Sequence, residues 1–248
     1  NNTDKEISAY LYPGSYYTHY EIYKIRQAAI KINNADSIPG YRKITLAAGE
    51  SAYILAELKP LKVEFNHINP LLINDRFIKS YKQYVVGYKS DMQIHGLVLS
   101  GVLLMMILFM FTNYIIGKKP EFLYNAAYSL CMFLLIFLNS FIIRSTTGFT
   151  NLYYSYFDFF LLVTGVVFYI TFTRKFLNTK TNYLLLDKIL KYGEQFVILL
   201  LGVYTFLNFF TDTYLPQLYL ENGMKIFILL IGIAFIYLAL KRKDKLFN

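Results

Sequence analysis

Two patterns of apolar and polar positions divide the chain. Over its first third, apolar residues come in short runs broken by proline, glycine and charge; beyond residue 92 they run on with few interruptions. In the first part, Leu61-Lys62-Val63-Glu64-Phe65 alternates apolar with polar, the pattern of a strand that buries one face. Residues 52–58, AYILAEL, read as another strand, reached from 43–46 through the Ala48-Gly49-Glu50 turn and parted from the alternating segment by Pro60. Pro13-Gly14 and Pro39-Gly40 mark two further turns. Residues 20–32 suit either a strand or a short helix. From residue 77 the period changes. Phe77, Ile78, Tyr81, Tyr84, Val85 and Tyr88 recur at helical spacing behind an Asn74-Asp75 cap. The pattern predicts a strand-rich region over 1–76, a partial β-sandwich, and an amphipathic juxtamembrane helix over 77–92. That helix is a plain connector in the simplest reading and a transmitter of ligand-induced movement in the sharper one.

The long apolar runs lie in 93–248. About 20 helical residues, at about 1.5 Å each, cross about 30 Å of hydrocarbon. Five segments reach that length, near 94–117, 122–143, 153–173, 195–214 and 222–240. The third carries Asp158 into the membrane. The fifth lies near Lys225 and Lys241, whose ammonium groups can snorkel to the interfaces. The expected fold class is an α-helical polytopic membrane domain preceded by a small mainly-β extracytoplasmic region.

Charge orients this arrangement. Residues 1–92 hold 21 of the 41 charged side chains, which makes a single water-soluble globule the wrong object. Lys118 and Lys119 follow the first span. Arg174, Lys175, Lys180, Lys188 and Lys191 follow the third, and Lys241, Arg242, Lys243 and Lys245 follow the fifth. The alternate loops hold Arg144 after the second span, and Asp212, Glu221 and Lys225 after the fourth. Basic loops face the cytoplasm, so residues 1–92 are expected outside and the C-terminus inside. The net charge of +9 is spread over membrane loops, which fits an anionic inner leaflet and not nucleic acid. The one cysteine, Cys131, sits in an apolar run as a small buried hydrophobe. The chain opens on Asn1 without a signal-peptide core, and reads as a processed chain or an excised fragment.

Catalytic and metal-binding signals are absent. His19, His67 and His95 lack ligand spacing, and no H-E-x-x-H, C-x-x-C, phosphate loop or G-x-S-x-G turn occurs. No catalytic residue, cofactor or metal is expected, and any catalytic output module would lie outside these residues. Ionisable groups inside a span are costly and often functional, so Asp158, about 8 Å below the outer surface by helical rise, is the first ligand-binding candidate. Tyr154 and Tyr156 join it from the cluster Tyr153, Tyr154 and Tyr156, which reads as an interfacial belt or as an aromatic ligand cage. Asn113, Asn125, Asn139 and Asn208 are expected to hydrogen-bond between helices, and Gly96 and Gly101 to permit close helix packing. Leu185, Leu186, Ile189 and Leu190 form an apolar stripe that suits a short helix on the inner leaflet.

Three segments carry a family resemblance. The first span, IHGLVLSGVLLMMILFMFTNYIIG, holds paired glycines; the short inner loop KKPEFLYNAAYSL follows; and RKFLNTKTNYLLLDKIL comes after the third span. Together they resemble the bacterial seven-transmembrane receptors with diverse intracellular signalling modules, the 7TMR-DISM family. LAAGESAYILAEL and the strand after it resemble the membrane-proximal end of that family's extracellular β-sandwich. The resemblance implies seven spans, of which five are seen here. It also implies a cytoplasmic signalling output module as partner, a bacterial inner-membrane location, and carbohydrate or a related small molecule as extracytoplasmic ligand. The expected function is therefore the sensory and membrane input region of a signalling receptor. A transporter or channel component is the alternative, and a membrane scaffold or assembly protein is the third reading.

Overall fold

A computed structural model describes the chain except for residues 15–16, 26–27, 33–40, 64–67, 143–147, 212–213 and 242–248. The Pro39-Gly40 turn, the Glu64-Phe65 end of the alternating segment, His67, Arg144, Asp212 and the basic tail from Arg242 lie outside the described residues. Two compact units result, one of residues 1–95 with 141–155, the other of 96–140 with 156–248.

Among its described residues, the first unit has two three-stranded antiparallel sheets. Strands β1 (Ile7–Gly14), β4 (Arg42–Leu46) and β6 (Ile68–Asn74) form one, in the order β4-β1-β6. Strands β2 (Tyr17–Ile25), β3 (Ala29–Lys31) and β5 (Tyr53–Pro60) form the other, in the order β3-β2-β5. Side chains alternate across a strand, and on β2, past a register shift between Tyr17 and His19, positions 20, 22 and 24 turn inward. Ile22 is fully buried there. Lys24 reaches the Thr45 carbonyl at 2.6 Å and the Glu50 carboxylate at 2.6 Å, while Arg42 lies 4.7 Å over the ring of Tyr20. These contacts join the sheets. Glu50 in turn accepts from the backbone N–H of Ala47 at 2.7 Å, closing the turn in which Gly49 takes a φ of +67°.

The strands differ in part from the alternation. Within residues 20–32 the described residues form the end of β2 and the short β3, not a helix. Residues 61–63 are not a strand: past Pro60 the chain bends, and both Leu61 and Val63 turn inward as buried anchors. The strand lies further on, at β6, which contains Pro70. Because β6 is an edge strand, the missing N–H of Pro70 need not interrupt the ladder.

β6 passes almost directly into a helix. The side chain of Asn74 accepts from the backbone N–H of Arg76 at 3.0 Å and caps a single 3-10 turn, Asp75–Phe77. Helix α1 (Ile78–Gly117) follows at once. Ile78 is buried in a small core with Tyr10 and Tyr41, and Tyr12, Ile73 and Tyr81 pack around it.

Among the described residues, five helices are long and apolar enough to cross a membrane: Gln93–Gly117, Pro120–Phe141, Gly148–Phe176, Leu184–Phe210 and Leu215–Leu238. A two-residue link joins the first pair. Lys118 adopts a left-handed φ of 49°, and Pro120 then occupies the first position of α2 (Pro120–Phe141), where its missing N–H costs nothing. The third crossing is composite: α3 (Gly148–Leu152), a π-helical turn (Tyr153–Phe157) and α4 (Asp158–Phe176). A short α5 (Thr179–Asn182) precedes α6 (Leu184–Phe210) and α7 (Leu215–Lys241).

Helices α4, α6 and α7 share a core of Phe159, Val163, Val197, Tyr204 and Met224. A second cluster, Ile170, Leu186, Leu190 and Ile231, continues it. The expected surface helix is thereby corrected. Leu186 and Leu190 face this core as the opening turns of α6, while Leu184 and Leu185 stay exposed. Gly96 does permit close packing, because a Cβ there would sit 2.7 Å from the Cβ of Ser140 on α2. Gly101 does not serve that purpose, since nothing lies within 4 Å of its added Cβ.

Candidate functional site

Polar side chains collect at both ends of the α4/α6/α7 core. At one end is Asp158, the first residue of α4 after the π-helical turn, a local distortion that often accompanies functional positions. Its half-buried carboxylate accepts from the Phe159 backbone N–H at 2.6 Å. Glu221 and Lys225 of α7 lie within its electrostatic reach and pair with each other at 2.7 Å, one helical turn apart. Lys225 also stands 5.9 Å over the ring of Phe159. The group has two carboxylates and one ammonium, held between α4 and α7. Glu221 and Lys225 are thus residues of α7, although hydropathy had left them in the preceding loop.

Tyr156 belongs to the same unit. Its hydroxyl meets Thr205 Oγ1 at 3.1 Å, and its ring packs against Tyr204 at 6.0 Å, Phe209 at 5.0 Å and Phe160 at 5.4 Å. Those faces are occupied by neighbouring side chains. Tyr154 makes a different contact, edge-on to Tyr153 at 5.3 Å. Asn208 bonds across helices as expected, accepting from Gln217 of α7 at 3.2 Å. Asn113 instead donates to the Phe109 carbonyl of its own helix at 2.8 Å.

At the other end an ion-pair network ties three helices. Arg174, in the last turn of α4, donates through Nε to Asp187 Oδ1 at 3.2 Å and through Nη1 to Glu194 Oε2 at 2.7 Å. Asp187 and Glu194 are seven residues, two turns, apart on one face of α6. Thr171 donates to the second oxygen of Glu194 at 2.7 Å, and Thr179 of α5 to Asp187 at 2.7 Å. All three charged side chains are mostly buried, at 21%, 16% and 16% exposure, so the network is more than a surface pairing. The sequence reading assigned these residues to loop charge. The signal that could have found them is the two-turn spacing of Asp187 and Glu194 beside the stripe Leu186, Leu190, Gly193 and Val197.

No cluster of three or more His, Cys, Asp or Glu able to hold a metal occurs among the described residues. What both groups can do is fix one helix against another, and release it when a charge is moved or neutralised.

Comparison with known proteins adds one match. Residues 92–247 match the family model described as 7TM diverse intracellular signalling. No curated protein and no solved structure matches the chain.

Proposed function

The chain belongs to the 7TM diverse intracellular signalling family, and from that premise we propose that it is the sensory and membrane input region of a bacterial receptor. In this reading residues 1–92 lie outside the cytoplasmic membrane and take up a small ligand. The spans pass the resulting movement to an output module on the inner side. The observation that carries the reading is the passage of β6 into α1: one capped 3-10 turn separates the last strand of the outer sheets from the helix that enters the membrane. A ligand-induced shift of the sheets has little slack in which to be lost.

Loop charge supports the orientation, and more sharply than the bare sequence does. With Glu221 and Lys225 inside α7, the link between α6 and α7 loses its only lysine, while Lys118, Lys119, Lys175, Lys180, Lys188 and Lys191 are exposed on the opposite side of the bundle. The packing of Tyr156 favours the outer sheets, and not the mouth of the bundle, as the place where ligand enters. The test uses the intact receptor in membranes, with output recorded across a broad panel of small molecules and after deletion of residues 1–92. The reading expects output to respond to at least one compound and to lose that response on deletion. Output indifferent to both overturns it.

A further inference from the structure

The start of α1 is attached to the outer sheet along one face and at successive points. Asp75, Ile78 and Tyr81 recur every third residue, which brings them near a single side of the 3-10 turn and the first helical turns. Each meets the sheet β4-β1-β6 differently. Asp75 Oδ2 lies 3.4 Å from Lys43 Nζ. Ile78 is buried against Tyr10 and Tyr41. The Tyr41 hydroxyl donates to that of Tyr81 at 3.1 Å, with the two rings edge-on at 6.1 Å. The sheet side is equally organised. Tyr41 immediately precedes β4, and Lys43 is the second residue of that strand. Tyr12 of β1 stacks on Tyr41 at 4.7 Å, and Lys43 stands 5.9 Å over the ring of Tyr10. Phe77 and Tyr84 are exposed.

A single contact would leave the helix free to turn about its axis and to slide. Contacts spread over two turns, ionic at one end, apolar in the middle and hydrogen-bonded at the other, restrain both motions. We propose that this junction is a rigid transmission joint, in which sheet β4-β1-β6 and the first turns of α1 move as one body and Tyr41 is the positioning residue. Displacement of the sheet then reaches the membrane as rotation or translation of α1 and is not absorbed by a hinge. Burial, reinforced by the bond to Tyr81, pushes the Tyr41 hydroxyl above the usual phenol range. The biological sense of the joint rests on the receptor reading; its mechanics do not.

Amide hydrogen exchange on the full chain in nanodiscs tests it, with Tyr41→Phe, Tyr81→Phe and the double variant. Phenylalanine keeps the stacking and removes only the hydroxyl. Each single variant is expected to speed exchange of amides 81–84 by about fivefold, the worth of one neutral hydrogen bond. The β4 amides 42–46 are expected to quicken in step, and the double variant to be no faster than either single, because the two hydroxyls share one bond. Lys43→Gln is expected to reproduce the paired response, and Tyr53→Phe, at a side chain 81% exposed on the other sheet, to leave it unchanged. Faster exchange in the helix with β4 unaffected would reveal a hinge and overturn the proposal, as would no change at all or additive effects in the double variant. The paired response together with an output indifferent to Tyr41→Phe upholds the joint and counts against the receptor reading instead.

Discussion

At Gly96 the space for a side chain is already taken by Ser140, whose Cβ would lie 2.7 Å from an added methyl. Neither atom belongs to a flexible chain end, so the backbones of α1 and α2 must part. Gly96→Ala is expected to lower stability by about 1–3 kcal/mol, the usual range for overpacking. Gly101→Ala, in open space on the same helix, should be neutral or slightly stabilising. Thermal unfolding of both variants in one detergent checks the contrast. A second residue-scale case is Glu21, on the outward face of β2. Hydrogen bonds from Lys31 and then Tyr23, with His19 at 3.1 Å, hold its carboxyl at about 2 against an ordinary 4.5. A depressed value in the folded state means that the ionised form favours the strand pair. That contribution is complete above pH 4.5 and is lost as pH falls to about 2. Local amide exchange in β2 and β3, corrected for intrinsic pH effects, should show this acid sensitivity, and Glu21→Gln should flatten it.

Among the elements, the network at the end of α4 gives the clearest energetic expectation. Arg174→Ala leaves Asp187 and Glu194 mostly buried without their cation. Breaking a buried pair costs about 3–5 kcal/mol, and partial solvation here argues for the lower end. Arg174→Lys keeps the charge without the two-pronged geometry and should cost about half as much. Melting temperatures of the two variants, compared in one detergent, check the order. The elements also show where a linear reading stops. Hydropathy accumulates over twenty residues, so the membrane helices are legible with only their ends in doubt. The start of α6 was not legible, because Asp187, Lys188, Lys191 and Glu194 interrupt the apolar run although two of them pair with Arg174 from another helix. Strands β1 and β6 escaped notice for a different reason. β1 is rich in tyrosine, which is tolerated on either face, and β6 carries a proline that only an edge strand accepts. The candidate residues divide in the same way. Asp158 stood out as an acid in an apolar run. Its neighbours Glu221 and Lys225 come from α7, and tertiary proximity leaves no trace in local pattern.

At the scale of the whole molecule, the loop charges divide the chain between two sides of the membrane. Cysteines introduced at Lys62 and at Lys180 should react with an impermeant thiol reagent from opposite faces of the membrane; labelling from one face would break the orientation argument. With the two sides established, the central claim is mechanical. On the proposal above, sheet β4-β1-β6 and the first turns of α1 move as one body, so a shift of the sheet is carried into the helix. A short run of glycines inserted between Asn74 and Asp75 removes that tightness and leaves the sheet and helix sequences intact. Output of the intact receptor, with and without the insertion, is the most direct measurement. The insertion is expected to shift basal output by about fivefold or more, the low end of ordinary allosteric coupling, and to abolish any response to ligand. Basal output and response indistinguishable from those of the uninserted receptor would contradict it.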